Sequence, residues 1–298
     1  RIIAVDIGCA LTRACLFSVV EGTYRLTAAS QAVTGLRCLE NGIADVVLQA
    51  IRRIEQATHL PLLAPDAQGR LLRQLLLETV LTVCTSAAEP LRVVILGMTP
   101  TYSLAAARLA CHLPFVHIIG TQTISLHGKA DEGAAKLLPD TVQPDVILLA
   151  GGFHDAVDAP FERTARLLLG AFEHACVDQR PRIMLAVNQA SQCSIVSLLG
   201  PAFDLRLVRN LCPAPDALDF ADAQQELVTA YEQLKIPEMP GYHQLASLCA
   251  RPIISTWRAL DHALGYYPDM THLAALGSAA AGVYTQTVSG GYLLAGSP

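Results

Sequence analysis

The sequence predicts an α/β protein in which a meander-and-helix lobe is interrupted by a doubly wound parallel sheet. Three observations predict it. Residues 1–35 read as three consecutive strands followed by an amphipathic helix. From Leu91 onward, short apolar runs alternate with helical stretches, the pattern of a parallel sheet with crossover helices. Near the carboxyl end, residues 273–284 repeat the shape of the first hairpin.

In chain order, the opening strands fall near 2–7, 13–20 and 24–33, with Glu21-Gly22 as the turn between the last two. Residues 41–58 carry Ile43, Val46, Val47, Ala50, Ile51 and Ile54 at helical spacing, with Arg52, Arg53 and Glu55 on the wet side. Residues 61–65 read as a loop and 70–83 as a Leu-rich helix. Strands then follow at 93–96, 115–119, 146–149, 183–187 and 205–208. The helices between them are 103–112, 132–138, 161–176 and 190–199. Ligands of such sheets sit beyond the carboxyl ends of the strands, which here carry Gly97, Gly120, Gly151-Gly152, Asn188 and Asn210. After the break at Pro213-Ala214-Pro215, helices are expected over 217–234 with Asp216 as N-cap, over 242–250, and from Pro252 to Gly265. The last residues read as three more strands. Their apolar face needs cover from the 217–265 helices or from a second copy of the chain, which makes a homodimer one expectation. The organisation is therefore 1–90, an inserted 91–212, and 213–298.

Composition limits the functions. Hydrophobic residues make up 52% of the 298 and charged residues 16%, so a sizeable core is expected, with a buried partner surface in reach. A net charge of −5 without a basic run argues against nucleic acid. No apolar run reaches the ~18 residues of a membrane span. Arg1 leads straight into a strand without a leader-like run, and the missing initiator Met suggests a trimmed chain. The nine cysteines are odd in number and scattered, without a C-x-x-C pair, which fits a reducing cytoplasm. The His residues show no metal-ligand spacing.

The chemistry-bearing stretch is Ile3 to Ala14. An apolar strand ends at Asp6, Gly8 opens a tight turn, and Thr12-Arg13 starts the returning strand. Gly8 lets backbone N–H groups approach an anion, Thr12 can donate a hydroxyl, and Asp6 suits Mg²⁺ through waters. The same window also fits a plain surface hairpin. Gly151-Gly152 with Asp155 could cradle a ligand at a strand end, or simply make the strand-to-helix turn.

Together these stretches resemble the MutL/GlmL family, accessory proteins of adenosylcobalamin-dependent glutamate mutase within the actin-like ATPase superfamily. Asp6, Gly8, Thr12, Arg13 and Ala14 match the family's opening D-I-G-S-T-x-T-K-A, and Ile147 to Asp155 match its I-L-L-x-G-G-x-D with His154 inserted. The resemblance covers essentially the whole chain. It implies a ribonuclease H-like (actin-like ATPase) lobe with an inserted Rossmann-like domain, a second lobe beginning in 213–298, ATP with Mg²⁺ as the ligand, and a mutase subunit as the protein partner. It further implies that Asp6, Gly8, Thr12, Arg13, Gly151, Gly152, Asp155, Gly277 and Ser278 bind the cofactor, with Asp6 on the metal.

The departures are equally informative. The family's second phosphate hairpin reads D-x-G-G-A-T-T-D-V. Here Ala275, Ser278, Ala280, Ala281 and Gly282 replace its first Asp, second Gly, both Thr and last Asp, leaving Gly277 as a shaping residue. The expected activity is therefore partner binding with little or no ATP hydrolysis. Two alternatives stay open: an active ATPase completed by residues outside this chain, and a small-molecule binder that uses the inserted sheet.

Overall fold

The computed structural model describes residues 1–35, 42–63, 78–124, 143–153, 160–271, 275–281 and 284–290. The elements run β1 (Ile2–Ile7), β2 (Leu11–Val20), β3 (Thr23–Val33), α1 (Ile43–Thr58), β4 (Val80–Thr85), β5 (Leu91–Gly97), α2 (Ser103–Ala110) and β6 (Val116–Thr123). They continue as β7 (Val146–Gly151), α3 (Pro160–Ala171), β8 (Arg182–Val187), α4 (Gln189–Leu199), β9 (Leu205–Leu207) and α5 (Ala221–Ala230). The chain closes with a π turn (Tyr231–Lys235), α6 (Tyr242–Ala246), β10 (Ile254–Ser255), α7 (Thr256–Thr271), β11 (Ala275–Ala281) and β12 (Tyr284–Gly290). It forms two compact units, Arg1–Glu89 with Tyr231–Pro298, and Pro90–Ala230.

The first unit holds a mixed five-stranded sheet in the order β10-β4-β1-β2-β3. β1, β2 and β3 are antiparallel neighbours, and β4 and β10 run parallel to β1. The β2–β3 turn is Glu21-Gly22, both with positive φ, the two-residue geometry that follows the strand twist. Alternation sets the two faces. Ile3, Val5, Ile7, Ala14, Leu16, Leu81 and Val83 are buried, and α1, itself buried at Ile43, Val47, Ile51 and Ile54, packs against β1, β2 and β3. Ala4, Asp6, Arg13, Cys15 and Cys84 lie on the opposite face, by the register of β1 with β2 and β4. Gly42 caps α1 with φ 81°, and a Cβ there would stand 2.8 Å from the Pro240 carbonyl. The Ile43 N–H donates to that carbonyl at 2.8 Å, so Gly is the residue this close approach permits.

The second unit holds an all-parallel sheet in the order β6-β5-β7-β8-β9. Val94, Leu96, Ile147, Leu149, Ile183, Leu185 and Val187 form one face, packed under Phe161, Leu168, Ile195 and Leu199 of α3 and α4. α2 packs against β5, β6 and β7 and also touches α5. The three inner strands β5, β7 and β8 are mostly apolar and buried because both of their faces are covered, whereas the edge strands β6 and β9 are more polar and more exposed.

Three expectations change. Residues 80–85 form β4 beside β1 instead of continuing a helix. The alternation Val80-Leu81-Thr82-Val83 buries Leu81 and Val83, and this tertiary pairing outweighs the Leu-rich run before it. Residues 70–77 lie outside the described residues. The chain then returns after the inserted unit: Ile254 and Ser255 pair with Cys84 and Thr85, so 231–271 complete the first unit. Pro252 precedes β10, and α7 starts at Thr256 and runs past Gly265, whose cost of about 1 kcal/mol relative to Ala does not stop it. The terminal hairpin β11–β12 packs against α7, and the third expected strand lies outside the described residues, as does the helix expected over 132–138. Among the described residues, no helix is long and apolar enough to cross a membrane.

Candidate functional site

Hairpin register decides what the β1–β2 turn offers. Asp6 stands opposite Arg13 and Ile7 opposite Thr12, so Asp6 and Thr12 point to opposite faces of the sheet. Thr12 is fully buried, and its hydroxyl shares a hydrogen bond with Thr34 Oγ1 at 2.9 Å. The Gly8 N–H donates across the turn to the Leu11 carbonyl at 3.0 Å. Arg13 is exposed. The structure therefore brings Asp6 together with Arg13 on one face and turns Thr12 into the core.

Asp6 has partners that its own stretch does not reveal. Its Oδ1 accepts from Thr256 Oγ1 at 2.8 Å, at the start of α7, and from Cys84 Sγ at 3.6 Å, on β4. Burial, together with the Asp6 charge, pushes the Cys84 thiol up to about 12, so it stays protonated and donates. A sequence signal for Thr256 existed. Ser255 Oγ accepts from the Arg258 N–H at 3.1 Å, an N-cap arrangement that marks where α7 begins.

A cavity of ≈ 280 Å³ opens beside the turn, lined among others by Cys9, Thr34, Ala87, Glu89, Lys235 and Glu238. Lys235 is buried and ion-paired with Glu238. Two carboxylates against one ammonium make the lining acidic, the wrong sign for a polyphosphate. Among the described residues, no three His, Cys, Asp or Glu side chains converge as a metal cluster. Asp6 could hold a hydrated Mg²⁺ only with phosphates supplying further ligands. With Thr12 turned inward and the Gly8 N–H engaged, the hairpin fits Mg²⁺-ATP poorly.

Gly277 and Ser278 lie within β11, opposite Val288 and Thr287, and the strand continues to Ala281. Gly277 and Ser278 therefore sit within a strand. Asp155 and His154 lie outside the described residues.

At the end of β7 the chain takes φ 145° at Gly151 and 82° at Gly152. A Cβ on Gly151 would stand 2.8 Å from the Met98 side chain, and one on Gly152 would stand 3.1 Å from the Asn188 amide. The positive φ at both positions favours glycine, and the close approach of Met98 and Asn188 adds to it. Asn188 and Asn210 do meet here. The Asn210 amide donates to the Gly152 carbonyl at 2.6 Å, and the Asn188 amide donates to the Phe153 carbonyl at 3.1 Å. Beside them lies a cavity of ≈ 110 Å³ walled by Met98, Tyr102, Phe153 and Cys212.

Comparison with protein-family models matches residues 2–283 to the family described as MutL protein. No curated protein matches the chain. No solved structure matches it. The match spans both units, from the Asp6 strand through the glycine pair to β11, and on that extent the chain belongs to the MutL family, the glutamate mutase accessory MutL/GlmL proteins.

Proposed function

We propose that this protein is an accessory, chaperone-like component of a coenzyme-B12-dependent mutase of the glutamate mutase type, acting by binding a mutase subunit with little or no ATP hydrolysis. The family match over residues 2–283 carries this reading. The sheet supports a ribonuclease H-like, actin-like lobe: a three-stranded meander and a helix, then two strands parallel to the first. The 2-1-3-4-5 order of the second sheet, counted from its own first strand, supports a Rossmann-like insert.

Weak hydrolysis follows from the hairpin. Phosphoryl transfer depends on placed metal and on donors aimed at the developing charge. Here the Thr12 hydroxyl is paired with Thr34 in the core, the Gly8 N–H is engaged, and the neighbouring cavity carries Glu89 and Glu238. Steady-state turnover of Mg²⁺-ATP is expected well below about 1 s⁻¹, the low end of ordinary enzymes. Turnover at or above that rate, lost in Asp6→Ala, would instead establish an ATPase and overturn this reading.

A second reading has its own observation. The cavity at Gly151-Gly152 sits beyond the carboxyl ends of a parallel sheet, where small molecules bind such folds.

A further inference from the structure

We propose that the cavity at the end of β5 and β7 binds the flat, uncharged aromatic ring of a small molecule, with the rest of that ligand outside the pocket. This rests on the small-molecule reading of the parallel sheet and is independent of the mutase partnership.

Topology gives the place. β5 lies between β6 and β7, so the chain leaves β5 in one direction for β6 and later fills its other side with β7. A crevice forms at such a reversal because the connections on either side diverge. The cavity opens there, against Met98 just beyond β5 and Gly151-Gly152 at the end of β7. The glycines matter to its shape. A side chain at Gly151 would strike Met98, which lines the cavity, and one at Gly152 would crowd Asn188.

The lining gives the chemistry. Met98, Tyr102, Phe153 and Cys212 present a thioether, two rings and a thiol. Among the described residues, no lysine, arginine or carboxylate lines the pocket, so its described wall selects neither phosphate nor ammonium. Of its three hydroxyl residues, Thr99 and Ser103 are paired with each other, and the third is the Tyr102 phenol. The Thr99 N–H donates to Ser103 Oγ at 2.8 Å, and the Ser103 N–H donates to Thr99 Oγ1 at 3.2 Å. The Gly152 and Phe153 carbonyls are held by Asn210 and Asn188. What remains among the described residues is a mostly apolar slot whose wall includes the Tyr102 phenol.

Size and ring geometry narrow the class to aromatics. Tyr102 and Phe153 meet edge to face, with centroids 5.3 Å apart and planes at 74°. A third ring extends such a pair in the same herringbone fashion, and the Met98 sulfur adds a favourable contact with a ring edge. A cavity of ≈ 110 Å³ is smaller than the engineered cavity of about 150 Å³ that accepts benzene, so it takes at most one ring, and only with the ligand reaching out through its mouth.

The test is a titration of the full chain, followed by NMR at the Gly151 to Phe153 amides, with indole and with cyclohexanol as probes. Indole should shift these amides and bind about fivefold more tightly than cyclohexanol, since a ring pair contributes about 0.5–1.5 kcal/mol. Tyr102→Ala, at a residue 42% exposed and so tolerant of truncation, should weaken indole about fivefold while leaving cyclohexanol nearly unchanged. Phe153→Leu keeps the apolar bulk and should give a similar loss for indole alone. Absence of indole shifts at these amides in the unmodified protein overturns the proposal. So does equal binding of the two probes, or indole affinity unchanged in both variants.

Discussion

Glu232→Ala should destabilise the first unit by about 3–5 kcal/mol, the cost of removing one partner from a buried ion pair. Glu232 sits in the π turn after α5 and is mostly buried, as is Arg258. Its Oε1 accepts from the Ser255 N–H and the Ser255 hydroxyl, each at 2.9 Å. Both oxygens accept from Arg258 Nε, at 2.9 and 2.8 Å. Ser255 is half of the two-residue strand β10, and Arg258 lies in the first turn of α7. One carboxylate thus fixes the strand that closes the mixed sheet and the helix that follows it. Truncation strands a buried N–H and a buried hydroxyl and removes the counter-charge of Arg258. Glu232→Gln keeps an acceptor and should recover part of the loss. Urea unfolding measures both variants, with the midpoint falling and the slope unchanged. A midpoint for Glu232→Ala equal to that of the unmodified protein would show that β10 is held by other contacts.

Arg182→Ala should cost the second unit a similar amount, about 3–5 kcal/mol. Arg182 opens β8 with its side chain 4% exposed, and it pairs with Asp204 at 2.8 Å and with Glu226 of α5 at 3.2 Å. Replacing the pair together, Arg182→Met with Glu226→Leu, should return most of the loss, because a well-packed apolar pair avoids desolvating two ions. The loss should also depend on pH. Burial raises the Glu226 carboxyl above its ordinary value, and Arg182 is the first of the cations that hold it down. A carboxyl raised in the folded state binds its proton more tightly there than in the unfolded chain. Stability from this group is present at low pH and is lost as pH rises through the folded pKa. Without Arg182 that pKa rises further, so Arg182→Ala should lose more stability at pH 8 than at pH 5. Denaturant midpoints at the two pH values read this directly, and an equal loss at both would place Glu226 outside the pair's energetics.

The inner strands β5, β7 and β8 were legible because they are largely apolar runs that end at glycine or just before asparagine, whereas β6 runs through Gly120 to Thr123, past its apolar stretch. The opening meander was legible from alternation and from Glu21-Gly22. β4 was not, since Leu-rich residues precede it and only pairing with β1 selects a strand. β10 was not, because two residues carry no period. The candidate site was half legible. Asp6 and the glycine pair stand out by type and position, but the partners of Asp6 come from Cys84 and Thr256, far along the chain. Thr12 shows the limit most clearly. The residues between Ile7 and Leu11 set the register that puts Thr12 opposite Ile7, and a shift of one residue would have put it beside Asp6.

Sedimentation velocity of the purified chain with purified subunits of a coenzyme-B12-dependent mutase, with and without Mg²⁺-ATP, tests the partner-binding role most directly. A faster-sedimenting complex should form with a mutase subunit at micromolar concentrations, on the order of an ordinary specific interface. It should form equally well without nucleotide and with the Asp6→Ala variant. Separate sedimentation of chain and subunits under all of these conditions, or a complex that appears only with ATP and only when Asp6 is intact, would contradict it.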